Sequence, residues 1–313
     1  IGGDLYTLPG APHLIPTKRF RDTHLLDIGE WVMKRGKATV IWGGSIGPFE
    51  HWPSAKRLFL RHLRRVDLIT VREPDTWAYL RSLGLEENVA MVADPAFLVP
   101  PVPCRLERLD ESVPLMGVNL SPFSARHRFG GRAVASVMHA QAEALVRLIE
   151  TLDVEVVLLP HSVNDSRPDD DDRQYLRTIY GAVACRCPER VSMVADDPRA
   201  ERMKGILAQC DVVIAARMHC GIHAVSVGTP AVFLAYSDKA WGMSRFIYGD
   251  DSYCVPLDAL TDGRAERKIE ALLAERIRLG EYLERKGPEF VSQALNAAVH
   301  IEEMLRARSG ALS

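Results

Sequence analysis

Residues 210 to 236 read C-D-V-V-I-A-A-R-M-H-C-G-I-H-A-V-S-V-G-T-P-A-V-F-L-A-Y. Asp211 to Ala216 is a short apolar run rich in β-branched residues, the pattern of a buried strand. From His219 to Val227 the apolar spacing fits a helix, and Gly228-Thr229-Pro230 is a stop signal. A second apolar run, Ala231 to Ala235, closes a strand-helix-strand unit and so predicts a parallel sheet. In open sheets of this kind ligands collect at the carboxyl ends of the strands, where a helix N-terminus offers unpaired N–H groups and a positive dipole end. Arg217, Met218 and His219 fall at that junction.

Working outward, the chain alternates strand and helix patterns in two blocks separated by Pro100, Pro101, Pro103 and Pro114, which read as an extended linker. The expected domains are residues 1–105 and 106–313. In the first, Ala38 to Trp42, Leu68 to Val71 and Val89 to Ala93 are strand candidates, with helices at Ser54 to Arg65 and Pro74 to Leu83. In the second, strands are expected at Leu115 to Leu120, Val154 to Leu159 and Val191 to Val194. Helices are expected from about Arg132 to Leu152, Asp171 to Ala184 and Pro198 to Gln209. The tail from Arg264 to Arg308 reads as charged helix interrupted at Gly287-Pro288. The opening Ile1-Gly2-Gly3-Asp4 reads as a strand end entering a glycine turn, with residues upstream expected to be missing.

Composition narrows the functional classes. The 313 residues are 47% hydrophobic and 26% charged, enough to bury a sizeable core, and the net charge of −2 gives no reason to expect nucleic acid as a partner. No run reaches the roughly 18 apolar residues of a membrane span. The six cysteines form neither a paired CxxC zinc pattern nor a disulfide scaffold, so a cytoplasmic location is the simplest expectation, although Cys185 and Cys187 also suit a redox pair. No metal and no cofactor are expected. The acid run Asp169 to Asp172 reads as a solvated helix start favoured by the dipole, with a metal site as the alternative.

The candidate site residues each have a bland alternative. Arg217 suits a phosphate or carboxylate because its planar fork donates two parallel charge-assisted bonds, and His219 beside it can exchange a proton near neutral pH. Equally, Arg217 can pair with a carboxylate of its own domain while His219 caps the helix. Arg72, in Val71-Arg72-Glu73, ends a strand just as Arg217 does, and its alternative is a structural salt bridge. His161 follows a strand in Pro160-His161 and is either a ligand contact or a plain loop residue; His223 shares a helix face with His219 or is simply packed. Tyr236, Lys239 and Trp241 lie in what reads as the loop after the last strong strand, where Lys239 adds a positive charge and Trp241 a surface for a sugar.

The order Trp42-Gly43-Gly44-Ser45-Ile46-Gly47-Pro48, Val71-Arg72-Glu73, Asp94-Pro95, Leu159-Pro160-His161, Arg217-Met218-His219 and Gly228-Thr229-Pro230 resembles the polysaccharide pyruvyl transferase family. The resemblance implies an α/β fold of two Rossmann-like domains, GT-B-like, with the N-terminal domain truncated. It implies transfer of a pyruvyl group from phosphoenolpyruvate, as co-substrate, to two hydroxyls of a glycan or glycan precursor, giving a cyclic ketal and phosphate. Arg72 and Arg217 would bind phosphoenolpyruvate, with Met218, His161 and Lys239 as further contacts and His219 as acid or base. The acceptor would be a sugar, a lipid-linked glycan or a polymer, with peripheral membrane association through it. The Gly-Asn-x-Gly-Asp turn usual in the family is absent, which leaves the acceptor side in question. A GT-B glycosyltransferase using a nucleotide sugar, and a non-catalytic carbohydrate-binding relative, are the competing readings.

Overall fold

The computed structural model describes residues 3–5, 24–50, 53–167 and 170–310. The chain divides into two compact units, one of residues 1–98 with 289–313 and one of residues 99–288. The division therefore falls ahead of the expected 105/106 boundary, and the last residues group with the first unit rather than the second. The proline stretch is not a free linker. Val102 N–H donates to Glu201 O at 2.9 Å, and Leu106 N–H to the Gln209 side chain at 3.0 Å, so it lies pinned along the second unit.

The first unit begins with β1 (Gly3–Leu5), α1 (His24–Met33), β2 (Val40–Ile46), α2 (Pro53–Leu63), β3 (Leu68–Val71), α3 (Pro74–Ser82) and β4 (Val89–Met91). Its sheet is parallel in the order β1-β2-β3-β4. Gly3 and Asp4 thus belong to a strand rather than to a glycine turn; Ile1 and Gly2 lie outside the described residues. Pro74 opens α3, where its missing N–H would be unpaired anyway, and the buried Glu73 caps the helix by accepting from Thr76 N–H at 2.8 Å.

The second unit runs β5 (Leu115–Asn119), α4 (Pro122–Phe129), α5 (Val134–Leu152), β6 (Glu155–Leu158), α6 (Asp172–Ala184), β7 (Val191–Met193), α7 (Arg199–Leu207), β8 (Val212–Ala215), α8 (Met218–Val225), β9 (Ala231–Ala235), α9 (Lys239–Tyr248), β10 (Cys254–Pro256), α10 (Asp258–Thr261), α11 (Glu266–Ala274) and the start of α12 (Arg276–Gly310), whose residues from 289 on belong to the first unit. All its strands are parallel, in the order β10-β9-β8-β5-β6-β7. Because β5 comes first in sequence, its two neighbours β6 and β8 mark the place where the order reverses, the crevice in which such sheets bind ligands. Every residue of β5, β6, β8 and β9 is buried, as expected of strands covered by helices on both faces.

Helix α8 lies close over β9 because Gly221 leaves room for Phe233; a Cβ there would stand 2.3 Å from Phe233 Cε1. The tail differs from the sequence pattern, since α12 continues through Pro288. Proline removes one helical hydrogen bond. Burial on both sides holds the helix together across it: Leu279 and Leu283 before, Phe290, Ala294 and Ala297 after, with Phe290 tilted against Phe97 at 4.9 Å.

The Gly221–Phe233 contact sets a test. Gly221→Ala is expected to lower unfolding free energy by about 1–3 kcal/mol through overpacking, and Phe233→Leu in the same chain to restore part of it. Urea unfolding of the two single variants and the double variant measures this; additive losses would show that the two residues do not compete for space.

Candidate active site at the strand ends of the second unit

At the sheet's reversal point two polar side chains organise the backbone. Asn119, the last residue of β5, accepts from Arg217 N–H at 2.9 Å and donates to Leu159 O at 2.8 Å, tying β8 and β6 to the strand between them. Its amide also donates to Asp172 at 3.2 Å. Asp172 is 0% exposed and accepts in addition from the backbone N–H groups of His161 and Ser162, each at 3.0 Å. The expectation of a solvated acid run fails here: Asp172 is an internal anchor, Asp170 an ion-pair partner, and Asp169 lies outside the described residues.

Arg217 is the extended cap residue of α8. Its Nε and Nη2 reach Asp172 at 3.1 and 2.9 Å, and Nη2 also reaches the Asp170 carboxylate at 2.8 Å. Burial works against its charge, but the two carboxylates outweigh it and hold its proton affinity above the ordinary value. Nη1 makes no hydrogen bond among the described residues, and the guanidinium lies 5.9 Å from the ring of Phe123. Phe123, His127 and Tyr236 form an edge-to-face cluster there, with Phe123 5.8 Å from Tyr236 and 42% exposed.

Three histidines gather beside Arg217. Met218 and His219 form the first turn of α8, both half-buried. His161 Nε2 lies 3.1 Å from His223 Nδ1. His161 is held well below the ordinary histidine value of 6.5, first by burial and then by His223, His219 and Arg217, so it is neutral at neutral pH. Burial also pushes Cys220 far above the usual thiol range, which leaves it unreactive. Lys239 and Trp241 sit not in a loop but in the first turn of α9, both half-buried.

The first unit treats its arginine differently. Arg72 is 0% exposed, donating from Nε to Ser45 Oγ at 3.0 Å and from Nη1 to Asp94 at 2.6 Å. That is the salt bridge weighed as the alternative for Arg72, and a ligand reaching this guanidinium would have to displace Asp94 or Ser45. Glu73 next to it is raised above the ordinary carboxylic value, chiefly by burial. Among the described residues no group of three or more His, Cys, Asp or Glu is placed to hold a metal ion, and no helix is long and apolar enough to cross a membrane.

Sequence reading did not pick out Asn119, although a polar residue closing an otherwise apolar strand was its signal. Nor did it single out Asp172 within its acid run, or the aromatic cluster around Phe123.

The sequence profile of the polysaccharide pyruvyl transferases matches residues 1–238. The chain belongs to that family. No curated protein matches it in sequence. Among solved structures it resembles an α,α-trehalose 6-phosphate synthase from Burkholderia multivorans (TM-score 0.59, 13% identity, 92% of this chain and 70% of that one). It also resembles a protein described as a UDP-N-acetylglucosamine 2-epimerase from Listeria monocytogenes (TM-score 0.55, 13% identity, 82% and 65%) and a glycosyltransferase from Rickettsia africae (TM-score 0.50, 11% identity, 93% and 83%). The chain thus spans just under two thirds of the epimerase. At these identities the likeness establishes the fold: two Rossmann-like α/β domains of the GT-B type.

Two outcomes follow from the site. Asp172→Ala would leave the Arg217 charge short of its main partner and is expected to cost about 3 kcal/mol in urea unfolding; an unchanged midpoint would remove Asp172 as the anchor. For His161 the unfolded chain binds the proton more readily than the folded one, so the stability it contributes is complete above about pH 6.5 and falls as pH drops toward the lowered folded value. Wild type should therefore lose stability from pH 7 to 5 more steeply than His161→Gln, and parallel slopes in urea titrations would contradict this.

Proposed function

We propose that this protein transfers the pyruvyl group of phosphoenolpyruvate to two hydroxyls of a glycan or glycan precursor, forming a cyclic ketal and releasing phosphate, with no metal or cofactor. The observation that carries the reading is the placement of Arg217 and His219 together at the start of α8, at the carboxyl end of β8, in a chain of the pyruvyl transferase family. The first-turn N–H groups of α8 and Arg217 Nη1 supply donors for an anion. A proton on His219, in the same turn, is assigned to the chemistry rather than to ligand binding.

That proton has a use. Addition of a sugar hydroxyl to C2 of phosphoenolpyruvate converts the methylene carbon to a methyl group, which requires an acid close to it. His219 is assigned that role, Arg217 and Met218 the ligand contacts of the same turn, and Lys239 a further positive charge at the end of β9. Arg72, sealed by Asp94, has a structural role in this reading. The acceptor is a sugar or a lipid-linked or polymeric glycan, the last two bringing the protein to a membrane surface only through the acceptor, from a cytoplasmic location.

Calorimetric titration with phosphoenolpyruvate, run beside a panel of nucleotide sugars, tests the reading. Saturable binding of phosphoenolpyruvate alone is expected; binding of a nucleotide sugar alone would replace pyruvyl transfer with glycosyl transfer. Arg217→Lys should weaken phosphoenolpyruvate roughly tenfold or more, because a lysine cannot hold Asp170 and Asp172 as the guanidinium does and also present a further fixed donor to the ligand. His219→Ala should leave affinity within a few-fold while abolishing turnover, and an active His219→Ala protein would point to a carbohydrate-binding relative or another acid.

A further inference from the structure

We propose that His161 is the general base that removes the proton of the attacking sugar hydroxyl, with His223 holding its ring. This rests on the pyruvyl transfer proposed above. In the first addition the hydroxyl oxygen bonds to C2 and loses its proton, while the C2–C3 π electrons take a proton to make the methyl group. One proton leaves oxygen and another arrives at carbon, so a neutral imidazole and a protonated one serve the step together.

The structure places two imidazoles there on different elements, His161 after β6 and His219 in the first turn of α8. His161 lies three residues past the end of β6, the strand next to β5, and its backbone N–H is fixed on Asp172 at 3.0 Å. Its Nε2 shares one hydrogen bond with His223 Nδ1 at 3.1 Å, with ring centroids 5.0 Å apart, so the pair holds a single proton between those two nitrogens. Nδ1 of His161 makes no hydrogen bond among the described residues. If Nε2 of His161 is the donor to His223, Nδ1 carries the lone pair a base needs. Burial first, and then His223, His219 and Arg217, hold the ring's proton affinity well below the ordinary value.

The protons then balance over the whole reaction. His161 takes the first hydroxyl proton as His219 gives its own to C3. Cleavage of the C2–O bond releases phosphate, which takes the proton held by His161. The second hydroxyl adds to C2 and gives its proton to His219, restoring both histidines. A pair of packed histidines with no role in the chemistry is the competing account.

Two measurements separate them. Long-range proton–nitrogen correlation spectra of the full chain labelled at histidine nitrogen, taken at pH 7 without ligand, should show His161 protonated at Nε2 and bare at Nδ1. A proton on Nδ1 overturns the proposal whatever the acceptor turns out to be. Phosphate release from phosphoenolpyruvate is then followed with a panel of methyl hexopyranosides. His161→Gln should lose roughly 10²–10⁴-fold in turnover, with phosphoenolpyruvate affinity within about threefold, and added imidazole should restore part of the rate to His161→Gly. Full turnover in His161→Gln sinks the base while leaving pyruvyl transfer standing. Wild-type protein that fails to bind phosphoenolpyruvate sinks the reaction itself.

Discussion

A carboxylate with no exposed surface is costly unless every lone pair is used and a positive charge lies beside it. Asp172 meets both conditions by gathering donors from four places: the Asn119 side chain at the end of β5, the backbone of His161 and of Ser162 after β6, and the Arg217 guanidinium before α8. Those are the segments that form the crevice at the reversal of strand order. Because the donors share one acceptor group, their positions are mutually dependent, and loss of one leaves the others partly unsatisfied in a low-dielectric setting. The site is therefore held by its electrostatics as much as by the sheet beneath it.

The same arrangement shapes what the crevice can bind. With Nε and Nη2 of Arg217 committed to Asp170 and Asp172, the guanidinium is oriented and only one edge remains for a ligand. Preorganised donors of this kind cost no rearrangement when charge develops.

Much of this fold was legible in sequence because parallel strands buried on both faces are written as continuous apolar runs. Leu68 to Val71 and Ala231 to Ala235 were read at their observed limits, and the junction at Arg217 emerged from the change of period between strand and helix. What escaped was what period cannot encode. Helix α9 follows β9 after only a short turn, so Lys239 and Trp241 read as loop. The break expected at Pro288 is absent because Leu283 and Phe290 are buried on either side of it, and tertiary burial outweighs one lost hydrogen bond. Asp172 was hidden among neighbouring acids, since four like residues in a row do not reveal which one turns inward.

Arg72 and Arg217 show why position alone does not give function. Each ends a buried strand and precedes a helix. Around Arg72 the carboxylate partner comes from Asp94, after β4, and with Ser45 it closes over the guanidinium until no surface remains. Around Arg217 the carboxylates come from the start of α6, to one side, and the guanidinium keeps 17% of its side-chain surface. The difference lies in where the counter-charge stands relative to the strand end, beneath the arginine or beside it. A buried pair of the first kind leaves the guanidinium no exposed surface, whereas the second leaves it partly exposed. That contrast is set by residues far from either arginine in sequence, which is why two identical local patterns resolve into one structural ion pair and one candidate binding group.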